Sequence, residues 1–311
     1  MRIAILGATS QIAQDFVCTA GLDPELEFFL YSRRPAENAK WLDDQSLVNP
    51  AYVGDFSEFE KTVKPYDAII NFVGSGNPAQ TERIGAAIMD VTYNFDGLAI
   101  QYLKNHPDSR YIFFSSGAVY GGGFASPVDD QTNAVLPINQ LSAQDWYGVA
   151  KMYAEARHRT LSDLHIIDLR IFNYFSYSAD IEARFLITDA LRSIRDGKPL
   201  QTSLENIFRD YVGPREIAQL IRKVLWAPPK NAAVDCFTQK PIDKLSMLKR
   251  MQSEFGLRYD LVSHRTGLVA TGNKLNYYSK SRKAADLFGY EPEATSLDVI
   301  VEQSRRLLSR L

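Results

Sequence analysis

Short apolar runs and helical periodicities alternate through the first half of the chain. Arg2-Ile3-Ala4-Ile5-Leu6 is apolar and partly β-branched and stops at Gly7, the pattern of a strand buried on both faces. Gln14-Asp15-Phe16-Val17 then follows a helical pattern. Strand-like runs recur at 27–31, 52–56, 68–73, 110–114 and 166–171, with helices expected over about 81–104 and around 147–151. This alternation predicts an α/β fold with a doubly wound parallel sheet. After Tyr174 the pattern breaks up. Helical stretches near 182–196 and 242–255 alternate with short strand-like pieces such as Val234-Asp235-Cys236-Phe237. These predict a smaller C-terminal α+β substrate-binding lobe over the ligand edge of the sheet, with Phe208–Val212 and the helix after it returning to the main domain. The expected division is 1–176 plus about 206–231 for a dinucleotide-binding domain, and about 177–205 plus 232–311 for the lobe.

Composition narrows the function classes more than the fold. The chain has 311 residues, 45% of them apolar and 23% charged, with a net charge of −2. That size can bury a full core, and that charge offers no basic field for nucleic acid or a membrane surface. No apolar run approaches the roughly 20 residues of a membrane span. The first residues already read as strand and turn, leaving no room for a signal peptide. Cys18 and Cys236 suggest a reducing compartment, so a cytoplasmic setting is expected. The four histidines lack ligand spacing, and no metal site is expected.

The candidate chemistry lies at the ends of the predicted strands. Gly7, Thr9, Ser10, Gln11 and Ile12 form a strand–turn–helix junction whose free N–H groups suit a pyrophosphate; an ordinary βα turn is the alternative. Ser32-Arg33-Arg34 stands where an NAD site puts a carboxylate. Two guanidiniums there suit a 2′-phosphate, so NADP(H) is expected over NAD(H), unless this is simply a solvated basic loop. Asp55 and Phe56 end a strand beside the adenine position, and Val73-Gly74-Ser75-Gly76 lets the backbone pass under a cofactor. Asn94, expected on the inner face of its helix, is a proton-relay member or a structural hydrogen-bonder. Ser115 and Ser116 are hydroxyls at the carboxyl end of a strand and are expected to face the crevice. Arg209 suits a substrate diphosphate or else contacts Asp210.

Tyr147-Gly148-Val149-Ala150-Lys151 carries the sharpest signal. Of sixteen tyrosines only Tyr147 has a lysine four residues on, one helical turn away on the same face. An ammonium about 4 Å off would favour the phenolate by roughly 4 kcal/mol at an effective dielectric of 20. That is up to about three pKa units, enough to bring a phenol near working pH. A buried tyrosine beside a surface lysine is the bland alternative.

Taken in order, these motifs resemble the extended short-chain dehydrogenase/reductases, in the nucleotide-sugar epimerase, dehydratase and reductase branch, nearly end to end. The markers are Gly7-x-x-Ser10-x-x-Ala13, Ser115–Gly121, Tyr147-x-x-x-Lys151, Leu169–Asn173, Phe208–Val212 and the 277–292 tail. The resemblance implies a Rossmann fold, a nucleotide-sugar substrate and a homodimer. It further implies that Tyr147 is the general acid-base at the sugar oxygen, that Lys151 holds the nicotinamide ribose and lowers the tyrosine pKa, and that Ser116 hydrogen-bonds the same oxygen. Asn173 would help hold the nucleotide sugar and Arg209 its diphosphate. The 4,6-dehydratases of this family carry an acidic pair where this chain has Gly117 and Ala118, which disfavours dehydration. The expected function is an NADPH-dependent reductase of a nucleotide-linked 4-keto-deoxysugar. A nucleotide-sugar epimerase with retained cofactor is the alternative, and a non-catalytic NADP(H)-binding protein the minor one.

Overall fold

The computed structural model describes residues 1–74, 83–122, 124–263 and 274–310. Seven strands form one sheet: β1 (Arg2–Leu6), β2 (Glu27–Tyr31), β3 (Tyr52–Gly54), β4 (Ala68–Asn71), β5 (Arg110–Ser116), β6 (His165–Ile171) and β7 (Ala232–Asp235). They lie in the order β7-β6-β5-β4-β1-β2-β3, every pair parallel. Ile3, Ala4, Ile5 and Leu6 are all fully buried, because helices cover both faces. One face packs on α1 (Gln11–Ala20) and the helix Pro214–Trp226 through Phe16, Val17, Ile217, Leu220 and Ile221. The other packs on α3 (Ile88–Asn105) and α4 (Trp146–Arg159) through Ala99, Ile100, Leu103 and Ala154. A further helix, α2 (Pro35–Asp43), follows β2.

The smaller lobe has its own core. Helices Leu186–Arg195, Lys244–Phe255 and Ser296–Leu308 meet through Ile187, Leu191, Leu248, Met251 and Ile300, beside a parallel pair of strands, Leu200–Ser203 and Tyr259–Val262. Two expectations are corrected here. Ala232–Asp235 is no lobe piece, since it pairs in parallel with β6 as an edge strand of the main sheet. Ala284, Phe288 and Tyr290 likewise pack into the main core. The helix expected from about Thr81 is α-helical at 83–84, passes through a 3-10 turn Gly85–Ala87 and continues as Ile88–Asn105, with Thr81 itself outside the described residues.

One buried polar cluster holds the α3–α4 layer to the sheet. His158 of α4 is fully buried, with Nδ1 2.5 Å from Asp168 Oδ1 on β6 and Nε2 2.6 Å from Asp96 Oδ1 on α3. Arg157 donates to the second oxygen of Asp96 and Arg159 to that of Asp168. Burial works against a charge on His158, but the two carboxylates outweigh it and raise its pKa from 6.5 to about 9. A folded-state value above the unfolded one stabilises fully below about pH 6.5, and this stabilisation is lost as pH rises through about 9. The gap in Tm between the parent and His158→Gln is therefore expected to be widest near pH 6 and to narrow toward pH 9 and above. A gap independent of pH in thermal denaturation would mean that the histidine is uncharged.

Candidate active site

The carboxyl ends of the strands share one edge, and chain order reverses between β1 and β4, where open α/β sheets take their ligands. Gly7 follows β1 with φ +79°, a conformation that suits glycine, and a Cβ there would stand 3.0 Å from the Val73 backbone nitrogen after β4. Ser10 caps α1 by accepting from Ala13 N at 3.3 Å. Thr9 and Ile12 are part-buried in the same turn, and Gln11 donates to Ser176 Oγ at 2.9 Å. Gly74, with φ +158°, faces α4, where its Cβ would lie 3.5 Å from Lys151 Nζ. Gly7 thus lets the turn after β1 close directly on the turn after β4, bare Gly74 leaves space beside Lys151, and the helix start at Ser10–Ile12 has the chemistry a dinucleotide pyrophosphate needs. Ser75 and Gly76 lie outside the described residues.

At the end of β2 the Ser32 hydroxyl is buried and already engaged, accepting from Arg34 N (3.2 Å) and Asn38 Nδ2 (3.1 Å). Arg33 is exposed, and Arg34 pairs with Glu37 at 3.0 Å. Asp55 caps the 3-10 helix Phe56–Lys61 by accepting from Ser57 N, and the Phe56 ring lies 4.5 Å from that of Phe95 on α3. The inner-face expectation for Asn94 is corrected. Asn94 is exposed, while Thr92 and Asp96 are buried, because α3 turns every fourth residue inward from Ile88.

Alternation along β5 separates the two serines. Ser116 Oγ stays at the cleft and accepts from Ala118 N at 3.1 Å. Ser115 does not face the crevice, as expected for both, but donates to Glu155 Oε1 at 2.5 Å on the α4 side. Glu155 is fixed in turn by Arg170, which also donates to Tyr120 Oη. Tyr147, Lys151 and Ser116 do converge, but not with the expected electrostatics. Lys151 is 2% exposed, donates to Phe114 O at 2.7 Å, and has its Nζ 5.9 Å from the Tyr147 ring centre. Burial raises the Tyr147 phenol above its ordinary pKa, and the neighbouring Ser116 hydroxyl offsets part of that rise. Burial pushes Lys151 down to about 8, against the pull of Asp96, Glu155 and Asp168. The expected depression of the tyrosine pKa is thus corrected: desolvation dominates both groups, and the ammonium is aimed at a carbonyl.

On the lobe side, Asn173 spends its amide on Asp210 O (3.1 Å) and Tyr277 O (3.3 Å). Arg209 is 2% exposed and donates to Phe208 O, while the carboxylate of Asp210 accepts from Thr238 and Ser296. Sequence reasoning missed two residues here. The Tyr277 phenol interacts with Ser116, and Lys274 Nζ stands 4.5 Å from the Tyr277 ring centre and 5.0 Å from that of Phe124. Burial, reinforced by Arg209, lowers Lys274 to about 8. Tyr277 opens the 277–292 tail, which marked the family without assigning it a role, Lys274 lies outside every motif, and only the fold brings the two to the cleft.

The family model described as the NAD dependent epimerase/dehydratase family matches residues 3–234. The chain belongs to this family. No curated protein matches it in sequence. Solved structures share the fold at low identity. UDP-glucose 4-epimerase from Stenotrophomonas maltophila, with bound NAD and formylated UDP-arabinopyranose, gives a TM-score of 0.80 at 14% identity, covering 100% of this chain and 98% of the other. UDP-glucose 4-epimerase from Bifidobacterium longum, in complex with NAD+ and UDP, gives 0.75 at 18%, covering 100% and 98%. The dTDP-glucose 4,6-dehydratase from Bacillus anthracis, in complex with NAD, gives 0.75 at 16%, covering 100% and 97%.

At Gly117, the first position of the acidic pair that the resemblance to the dehydratases brings in, packing as well as sequence opposes an acid. A Cβ on Gly117 would lie 2.4 Å from Phe172 Cδ1 and 2.5 Å from its Cε1. Phe172 is itself held among Tyr120, Phe124 and Tyr277. Gly117→Asp is expected to destabilise the fold by about 1–3 kcal/mol in urea denaturation, the range for forcing atoms into a packed site. Adding Phe172→Ala should recover part of the Gly117→Asp loss, a positive coupling in the double-mutant cycle.

Proposed function

We propose that this chain is an NADPH-dependent reductase of a nucleotide-linked 4-keto-deoxysugar, with Tyr147 donating the proton to the C4 oxygen. The observation that carries the reading is geometric: Tyr147, half-buried at the cleft, converges with the Ser116 hydroxyl and the buried Lys151. A phenol is in the acid form at neutral pH and burial keeps Tyr147 so, leaving it a proton to give to the more basic alkoxide that forms as hydride arrives. The bound dinucleotide would supply the hydride. Ser116 orients the sugar oxygen against Tyr147. Gly7 and the start of α1 hold the pyrophosphate, Lys151 holds the nicotinamide ribose, and Arg209 with Asn173 holds the substrate diphosphate and sugar. Arg33, exposed at the end of β2 with no carboxylate in Ser32–Arg34, suits the 2′-phosphate. Epimerisation of a UDP-sugar is the second reading, favoured by the epimerases among the structural neighbours.

NADPH absorbance during incubation with dTDP-, CDP-, GDP- and UDP-linked 4-keto-6-deoxysugars separates the two readings. Stoichiometric loss with one substrate supports the reductase, whereas an epimerised product without net loss moves the chain to the epimerases. Tyr147→Phe is expected to lower kcat by roughly 10²–10⁴-fold, with Ser116→Ala also impaired. Parent-like turnover in both would end the proton-transfer scheme. Arg33→Asp is expected to weaken NADPH binding by at least about tenfold relative to NADH, the cost of losing a charge-assisted hydrogen bond. An unchanged affinity ratio would remove the 2′-phosphate assignment.

A further inference from the structure

The buried cluster around His158 does not end at Asp96. Tyr111 Oη donates to Asp96 Oδ1 at 3.1 Å, and Asn71 Nδ2 donates to Tyr111 Oη at 2.9 Å. Asn71 Oδ1 then accepts from Val73 N at 2.9 Å. Each link sits on a different element: His158 on α4, Asp96 on α3, Tyr111 on β5 and Asn71 at the end of β4. The chain stops at the turn whose Gly74 faces Lys151. Both nitrogens of His158 face carboxylates, so the imidazole donates from both and is a cation in this geometry. It lies edge-on to the Tyr111 and Phe113 rings, at 5.6 and 5.2 Å, and Lys151 Nζ stands 4.3 Å from the centre of the same Phe113 ring. The charged groups around His158 are Asp96 from α3, Asp168 from β6 and Arg157, Arg159 and Lys151 from its own helix. His158 lies seven residues from Lys151, two turns along one face of α4. All four links, Asn71, Asp96, Tyr111 and His158, are buried, and none enters the proton-transfer scheme above.

We propose that His158 is a positioning residue: through Asp96, Tyr111 and Asn71 it sets the Val73–Gly74 turn against Lys151, so that the dinucleotide cradle and the catalytic helix share one hydrogen-bonded register. Packing alone would tolerate small slides of α4 along the sheet, whereas a directional chain across four elements does not. The proposal rests on the dinucleotide reading only for one of its two readouts.

The test is Tyr111→Phe, which cuts the chain in the middle and leaves the His158 clamp and the aromatic packing in place. NADPH and NADH dissociation constants by fluorescence, and hydrogen exchange of the 72–74 amides, are measured on the full chain. The expected result is a five- to tenfold rise in Kd, the scale of one lost hydrogen bond, with faster exchange at Val73 and Tm within a few degrees of the parent. Ile100→Val, a packing change in the same layer outside the chain, should leave both readouts at parent values. Unchanged exchange at Val73 in Tyr111→Phe, or an equal change in Ile100→Val, would overturn the proposal. A parent that binds neither nucleotide would refute the dinucleotide reading, and the exchange data would still decide this one. If Tyr111→Phe does not fold, Asn71→Ala breaks the next link and is judged by the same outcomes.

Discussion

Helix α4 turns three ionisable side chains, Lys151, Glu155 and His158, into the protein at positions four and then three residues apart, and all three are buried. A charge removed from water must be paired or hydrogen-bonded, or it ceases to be a charge. Much of the polar architecture answers that requirement. Lys151 finds a carbonyl at the end of β5, Glu155 finds Ser115 and Arg170, and His158 finds one carboxylate from α3 and one from β6. The helix that carries the tyrosine of the cleft is therefore fixed by directional contacts along its whole buried face, in addition to its apolar packing.

This constraint also decides what remains available in the cleft. Because Glu155 claims Ser115, only Ser116 of the serine pair is left to meet a substrate oxygen. Because Ser32 caps the chain entering α2, the side chains left beside the ribose position at the end of β2 are those of two arginines. One of these is drawn to Glu37, leaving Arg33 as the better candidate for a phosphate. In each case a hydroxyl that looked available in the sequence has a structural task, and the proposed function falls to its neighbour.

The doubly wound sheet was legible because parallel strands buried on both faces produce uninterrupted apolar runs, as in Ile3–Leu6 and Tyr111–Phe114. Tyr147 and Lys151 were legible because helical spacing alone puts them together. The edge strand Ala232–Asp235 was not, since a four-residue run after a break in the pattern looks the same whether it pairs in the main sheet or in a lobe. The facing of Asn94 was lost to a helix phase that only the buried set Ile88, Thr92 and Asp96 reveals. The His158 cluster left one usable trace. Asp168 interrupts the apolar run Ile166-Ile167-Asp168-Leu169, and a carboxylate inside a buried strand demands a cationic partner. The partner's identity, ten residues back on a helix, required the fold.

The same crowding bears on which chemistry the cleft can host. Gly117 is pressed by the Phe172 ring, and the Gly148 Cβ position lies 2.9 Å from Ala118 O, so α4 and the turn after β5 are packed without a gap. An acid at 117 would have to displace an aromatic cluster that also holds Tyr277 beside Ser116. Among the described residues, the groups named beside Ser116 are then two phenols, Tyr147 and Tyr277, both raised by burial. Phenols are protonated at neutral pH, so they can orient an oxygen and protonate a strongly basic one, and a base for a carbon-bound proton would have to come from elsewhere. Packing around residue 117 therefore works against an acid there, which is consistent with the proposed redox chemistry, and glycine at 117 is its visible sign in the sequence.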